Sequence, residues 1–289
     1  MKVSIITPSY NQAPFLGNTI NSVLEQTYPN IEYIVVDGGS DDGSVDIIKN
    51  HADRIAYWVS EPDQGQSDAI RKGFEHASGE IHAWLNSDDV LSLDAVERAI
   101  GFFEKNPDID FVYGNRLAVD EQGRVLYKKR MLPSGAMSIY LSMVLGQESC
   151  FWRRELYDRV GGVNPERFFS MDYELFSKMA QQGRFKYCPG IWGGFRIHAS
   201  SRTMKEYATF GKKDVAEVQQ SVWGKQPSTL AWHSISLLVK IWGCTGIWTR
   251  NPGIWPEGFL SSDKLTIKER LSASFHEGSR FRSLTKWFR

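Results

Sequence analysis

A doubly wound, mostly parallel α/β sheet flanked by helices is the fold class this sequence predicts, and three observations predict it. Short β-rich runs alternate with helix-period segments through the first hundred residues, the pattern of βαβ units. Those runs end on polar, turn-rich loops rather than on further apolar sequence. One of them, Ile81 to Leu85, stops abruptly on Asn86-Ser87-Asp88-Asp89. In an open α/β sheet the carboxyl ends of the strands are where ligands bind.

The elements follow in order. Lys2 to Thr7 is a strand broken by Pro8-Ser9-Tyr10-Asn11, after which Phe15, Leu16, Ile20, Val23 and Leu24 recur at helical spacing. Pro29-Asn30 punctuates, and Ile31 to Val36 is a second strand ending on Asp37 and the turn-rich run Gly38 to Ser44. Val45 to Asn50 is a short helix and Ile55 to Val59 a third strand. Ala69, Ile70, Gly73, Phe74 and Ala77 share one face of the next helix, which Ser78-Gly79 ends before the strand at Ile81. Leu93 to Glu104 reads as a helix, Phe111 to Tyr113 as a strand, and Leu117 to Tyr127 as a hairpin turning at Glu121-Gln122-Gly123. Helices then span Glu155 to Val160 and about Asp172 to Gln182, closed by Gly161-Gly162 and Gly183. Phe185 to Cys188 and Phe195 to His198 are two final strands. Beyond about Thr203 the composition shifts toward Lys, Trp and Ser, which sets residues 1–203 as one domain and 204–289 as a helical, amphipathic C-terminal region.

The 289 residues carry 34 Lys and Arg against 34 Asp and Glu, so no net charge draws the chain to nucleic acid. Three widely spaced cysteines form neither a disulfide framework nor a zinc site, as in a reducing compartment. With Val3 to Ile6 as a first strand no leader is expected, and the cytoplasm is the expected location. Leu230 to Trp242 is interrupted by His233 and Lys240 and falls short of the roughly 20 residues a spanning helix needs. The tail from Arg270 to Arg289 mixes cations with Phe275, Phe281, Trp287 and Phe288, which suits either an anionic membrane surface or a solvated helix face.

Four loops at strand ends, Thr7 to Asn11, Asp37 to Ser44, Glu61 to Gly65 and Asn86 to Asp89, should line one crevice. It contains neither G-x-G-x-x-G nor G-x-x-x-x-G-K-[ST]. Adjacent carboxylates repel unless a cation or donors satisfy them, so Asp88 and Asp89 suit a hard divalent ion; capping the next helix is the alternative. An acid-lined sheet edge without glycine phosphate loops points to a metal-bridged nucleotide diphosphate.

The chain resembles the family 2 glycosyltransferases of the GT-A fold. The matching pieces are Ile6 to Asn11, Val36 to Ser44, Asp68 to Gly73, Leu85 to Asp89 and Met171 to Glu174, in the family's order over roughly residues 1 to 200. The nearest subgroup builds bacterial O-antigen and other surface polysaccharides. The resemblance implies an inverting transfer of sugar from a nucleotide diphosphate, UDP first, to a saccharide hydroxyl, polyprenyl-diphosphate-linked, at the inner face of the cytoplasmic membrane. It implies that Asp37 accepts the imide N–H of uracil, the alternative being a turn residue satisfying the Gly39 and Ser40 amides. Thr7, Pro8 and Tyr10 would flank base and ribose, with Asp68, Asn86 and Ser87 completing the nucleotide-sugar site. Asp88 would hold Mn2+ or Mg2+ with Asp89 beside it and His198 as a further ligand. Asn86 stands where the first acid of the family's Asp-x-Asp usually falls, which removes a charge. Asp172 would be the catalytic base, at a helix start whose dipole favours its ionised form, with Glu174 as substitute and a simple N-cap as alternative. Gln147, Glu148 and Trp152 fall where the family shapes its acceptor pocket, although Trp152 suits a core equally well. A sugar-nucleotide nucleotidyltransferase and a degenerate polysaccharide-assembly partner are the competing readings.

Overall fold

The structure is a computed structural model that describes residues 1–133, 136–141, 145–201, 211–228, 230–231, 233–234, 237 and 255–256. Its centre is a nine-stranded sheet of order β3-β2-β1-β4-β8-β6-β9-β5, with β7 paired to β6. The strands are β1 Val3–Ser9, β2 Ile31–Asp37, β3 Tyr57–Ser60, β4 Ile81–Trp84, β5 Val90–Leu91, β6 Phe111–Val119, β7 Val125–Lys129, β8 Cys150–Arg153 and β9 Phe185–Arg196. The helices are α1 Ala13–Leu24, α2 Ser44–Lys49, α3 Gln66–Glu75, α4 Ala95–Lys105, α5 Ala136–Leu141, α6 Arg154–Arg159, α7 Met171–Gln182 and α8 Lys212–Trp223.

Strands β1 to β4 pair in parallel, as the βαβ alternation predicts. Beyond them the sheet is mixed, since β8 runs antiparallel to both β4 and β6 while β9 returns parallel to β6. Side-chain alternation along the strands builds two cores. Ile6 and Val36 face α3 and α7, together with Ile70, Phe74, Trp84 and Phe176. Ile5 and Val35 face α1 and α4, together with Leu16, Ile20, Ile100 and Phe103. Leu16, Ile20 and Val23 are the one-sided apolar stripe that docks α1, which starts at a proline and an Ala13 N–H bonded to Asp42.

Two expectations change. The pair of final strands is one twelve-residue strand, β9, because its ladder with β6 slips register between Tyr187 and Ile191. The bulge there absorbs Pro189 and Gly190, the latter at φ 132, so neither ends the strand. The segment after Asp89 is not only a lead into α4. Val90 and Leu91 pair antiparallel with Gly194 and Gly193, which ties the acid-bearing loop to the far edge of the sheet.

Close packing of β6 on β9 requires Gly114, where an added Cβ would stand 2.4 Å from Trp192 Cγ. Trp192 is buried and cannot yield, so Gly114→Ala is expected to destabilise the fold by about 1–3 kcal/mol, read as a lower urea midpoint at unchanged slope. An unchanged midpoint would show that this contact relaxes freely.

Of the C-terminal region, α8 packs on the domain through Trp223, whose ring lies 5.2 Å from Tyr140. Most of 230–242 and all of 270–289, with Cys244, lie outside the described residues. Among the described residues no helix is long and apolar enough to cross a membrane. Cys150 and Cys188 are buried and unbridged.

Candidate active site

A cleft of about 880 Å³ opens at the carboxyl ends of β1, β2 and β4, within the size range of ligand sites. One wall carries Pro8, Ser9, Tyr10 and Gly38; the other is the run Phe168 to Tyr173 entering α7. Asn86, Ser87 and Asp88 form the floor between them. Thus Pro8, Tyr10, Asn86, Ser87, Asp88, Gln147 and Asp172, all predicted from sequence, meet in one place.

The floor is built by fixing the loop after β4 from both sides. Leu85 N–H donates to Ile6 O at 2.8 Å, and Asp89 N–H closes a turn onto Asn86 O at 3.1 Å. Thr19 Oγ1 of α1 lies 2.9 Å from Ser87 O and 2.7 Å from Asp89 O. Arg196, buried at the end of β9, donates from Nε to Asp88 O at 3.2 Å and from its backbone N–H to Asp89 Oδ1 at 3.0 Å. Its guanidinium also sits 4.9 Å from the centre of the Phe15 ring. His198, just beyond β9, places Nε2 at 2.9 Å from Asp88 Oδ2 and Nδ1 at 2.7 Å from Ser200 Oγ.

The adjacent acids therefore face opposite ways. Asp88 opens to the cleft beside His198, whereas Asp89 is 1% exposed. Burial, with Asp88 and Glu148 nearby, pushes the Asp89 carboxyl well above its usual range, and the Arg196 amide partly opposes that. Asp89 is thus a buried anchor of the loop, which corrects its assignment beside the metal. Asn86 spans the same turn, accepting from Gln66 Nε2 at 2.8 Å and donating toward Asp89 Oδ2 at 3.4 Å. A second carboxylate there would add charge beside a buried acid; the amide supplies a donor instead.

Five further assignments are corrected. Asp37 is fully buried, and its carboxylate accepts from Gly39 N, Ser40 N, Ser40 Oγ and Ser60 Oγ at 2.6–3.1 Å. It shapes the loop under the cleft, the alternative given for it above, and Gly38 reaches the cleft in its place. Thr7 is buried, accepting from Tyr33 OH at 3.0 Å on the sheet face away from α3. Glu148 turns beneath the floor, with Oε1 3.4 Å from Arg116 Nη1. Trp152 is a core residue, stacked on Phe111 at 5.8 Å and edge-on to Trp84 at 5.7 Å. Asp68 is likewise set back from the cleft, pairing with Arg71 at 2.9 Å and Lys72 at 3.5 Å and accepting from Gln64 N–H at 3.2 Å. Burial opposes its ionised form, but Arg71, the Gln64 amide and Lys72 hold its carboxyl below the usual range. Gln147 lines the cleft with its amide held on Trp84 O at 2.6 Å.

Asp172 lies in the first turn of α7 with Oδ1 accepting the Tyr173 N–H at 2.7 Å. Desolvation raises its carboxyl to about 6, with Glu148 adding to the rise and backbone amides and Arg116 opposing it. A carboxylate raised toward neutrality in a cleft is a matched proton acceptor. Glu174 is not in that position. Burial opposes its ionised form, but Lys178 and Arg167 hold its carboxyl below the usual range, with Arg167 Nε at 2.7 Å and Lys178 Nζ at 2.7 Å.

Among the described residues no three His, Cys, Asp or Glu side chains converge as a closed metal cage. Asp88 and His198 are a pair of ligand types acceptable to Mn2+; Asp88 opens onto the cleft, where substrate oxygens and water would complete the shell, while the His198 side chain is buried behind it. The donor set fits an ion shared with a diphosphate.

The parallel-then-mixed sheet with a cleft at its strand ends is the architecture of the GT-A fold, as its likeness to solved structures of that fold shows. Residues 4–169, more than half of the chain, match Glycosyl transferase family 2, and the chain belongs to that family. A glycosyltransferase of Nostoc sp. is 30% identical over 221 residues, 71% of this chain and 67% of its own length. One from Rickettsia conorii is 30% identical over 213 residues, and there the chain spans 70% of itself but 35% of the relative. Chondroitin synthase of Pasteurella multocida is 26% identical over 76% of this chain and 23% of its own. The fold is shared with S. aureus TarS 1–349 in complex with UDP-GlcNAc, at TM-score 0.65 and 17% identity over 94% of this chain and 79% of that one. It is also shared with the mannosyltransferase PcManGT of Pyrobaculum calidifontis in complex with GDP-Man and Mn2+, at TM-score 0.59 and 17% identity over 96% and 75% of the two chains.

Proposed function

We propose that the chain is an inverting, metal-dependent glycosyltransferase that moves a sugar from UDP to a hydroxyl of a saccharide acceptor, lipid-linked, during assembly of a surface polysaccharide at the inner membrane face. The observation that carries this reading is that Asp88 and Asp172, from opposite ends of the sequence pattern, line the same cleft. Pro8, Tyr10 and Asp88 line that cleft; in this reading Pro8 and Tyr10 flank the base and Asp88 approaches the diphosphate. Asp88 and His198 would hold the divalent ion, whose charge offsets that of the departing diphosphate when bound. Asp172 takes the proton of the acceptor hydroxyl; that oxygen forms the new bond to the anomeric carbon as the bond to the diphosphate oxygen breaks on the opposite face, leaving free UDP and an inverted centre. UDP is favoured over GDP by analogy with TarS, which has been captured with UDP-GlcNAc. The mannosyltransferase captured with GDP-Man makes GDP the comparison to run.

A second reading, a degenerate assembly partner, is favoured by Asn86 in the acid motif and by the filled hydrogen bonds of Asp37. A screen of UDP, dTDP and GDP sugars, with and without Mn2+, separates the two. Slow, metal-dependent UDP release is expected, together with a thermal shift that needs UDP and Mn2+ together. No release and no shift with any nucleotide would favour the degenerate partner.

A further inference from the structure

Among the described residues the exposed large apolar side chains are Tyr10, Phe168, Leu230 and Leu237. The two leucines lie beyond α8; the two aromatics both line the cleft, one on each wall. Phe168 is 52% exposed, and leaving most of a phenylalanine in water forgoes on the order of 1 kcal/mol of burial.

That exposure is not the accident of a loose loop. The segment 164–170 is clamped to α7, α8 and α3. Arg167 Nε meets Glu174 at 2.7 Å and its Nη1 meets Glu217 at 3.2 Å. Asn164 Nδ2 donates to Glu174 at 3.4 Å, Phe169 N–H to Asp214 at 3.3 Å, and Ser67 Oγ to Arg167 O. Glu174, itself 5% exposed, is the centre of this clamp and also holds Lys178. The ring is therefore presented by a fixed backbone, immediately before the helix turn that carries Asp172.

A second cavity of about 170 Å³ adjoins the cleft at Phe168, and Gln64, Gln66 and Glu166 line it with polar atoms. An aromatic face with amide and carboxylate groups at its edge is the chemistry that holds a pyranose, whose C–H face is apolar and whose rim is hydroxylated. Tyr10 stands on the wall with Pro8 and Gly38, at the ends of β1 and β2, where a nucleotide base is proposed to lie. Phe168 stands on the wall of the proton acceptor, where the incoming hydroxyl must sit.

We infer that Phe168 is a stacking platform for the acceptor, so that the acceptor is a glycoside with a flat C–H face beside its reacting hydroxyl rather than a polyol phosphate or a protein side chain. This rests on the proposed transferase reading. The test measures transfer from UDP-sugars to a panel of p-nitrophenyl glycopyranosides, with glycerol phosphate and a serine peptide as controls, in wild type, Phe168→Ala and Phe168→Trp. Wild type is expected to use a glycoside and neither control. Phe168→Ala should raise the acceptor KM about 5–10-fold, several times more than it alters the donor KM, and Phe168→Trp should restore it. An acceptor KM that does not move, a rise confined to the donor KM, or preference for glycerol phosphate or the peptide would overturn the inference. So would donor hydrolysis with no glycoside accepted. Loss of donor hydrolysis in wild type is a separate failure, of the transferase reading itself, and takes the inference with it.

Discussion

Asp172→Asn is expected to lower transfer by about 10²–10⁴-fold and, at the same time, to raise the thermal midpoint. The two effects have one cause. Desolvation in the cleft wall raises the Asp172 carboxyl to about 6, so between its ordinary value near 4 and pH 6 the folded chain binds more protons than the unfolded one. Stability contributed by this group therefore falls as pH rises through that window and stays low above it. A shift of this size corresponds to about 3 kcal/mol at most, and access to the cleft reduces it to roughly 1–2 kcal/mol. Asparagine keeps an oxygen for the Tyr173 N–H and carries no charge to desolvate. A rise of roughly 2–6 °C at pH 7.5 is expected, shrinking toward zero at pH 4. Wild-type turnover should in turn climb through pH 6 and level off above it, as ionised Asp172 accumulates. Full turnover in Asp172→Asn, or a midpoint that falls, would remove Asp172 from the proton-accepting role.

What the sequence disclosed depended on whether a residue's role follows from position along a strand or from the direction its side chain takes. The first four strands and their crossovers were legible because periodicity reports them directly, and with them came the location of the cleft at Pro8, Asn86 and Asp88. Direction was harder. Thr7 shares the parity of Val3 and Ile5, which pack toward α1 and α4, so alternation along β1 was the signal that would have turned it away from the cleft. Trp152 could have been placed the same way only after the antiparallel insertion of β8 between β4 and β6 was known, and no local pattern announces that pairing. Asp37 was assigned to the base, yet Gly39 and Ser40, which follow it, offer it donors within three residues. Arg196 was missed because its partners, Asp88 and Asp89, are more than a hundred residues away.

Adjacent carboxylates on a tight turn must point apart, and Asp88 and Asp89 accordingly divide two tasks that respond differently to the same substitution. Asp88 is 19% exposed with His198 as its side-chain partner, so Asp88→Asn should cost little stability. It should nevertheless lower donor turnover by at least about 10²-fold and abolish the Mn2+-dependent part of the UDP thermal shift, because charge stabilisation at the diphosphate is worth several kcal/mol. Asp89→Asn should do the reverse of what its place in the motif implies. The amide keeps an acceptor for the Arg196 N–H and removes an acid disfavoured by burial beside Asp88 and Glu148, so stability within about 1 kcal/mol of wild type and a retained Mn2+ response are expected. Asp89→Ala strands that buried N–H and should cost about 1–3 kcal/mol. The comparison is a thermal-shift titration of UDP with and without Mn2+ on all three variants. If Asp89→Asn loses the metal response while Asp88→Asn keeps it, the loop is oriented the other way when substrate binds, and Asp89, not Asp88, meets the diphosphate.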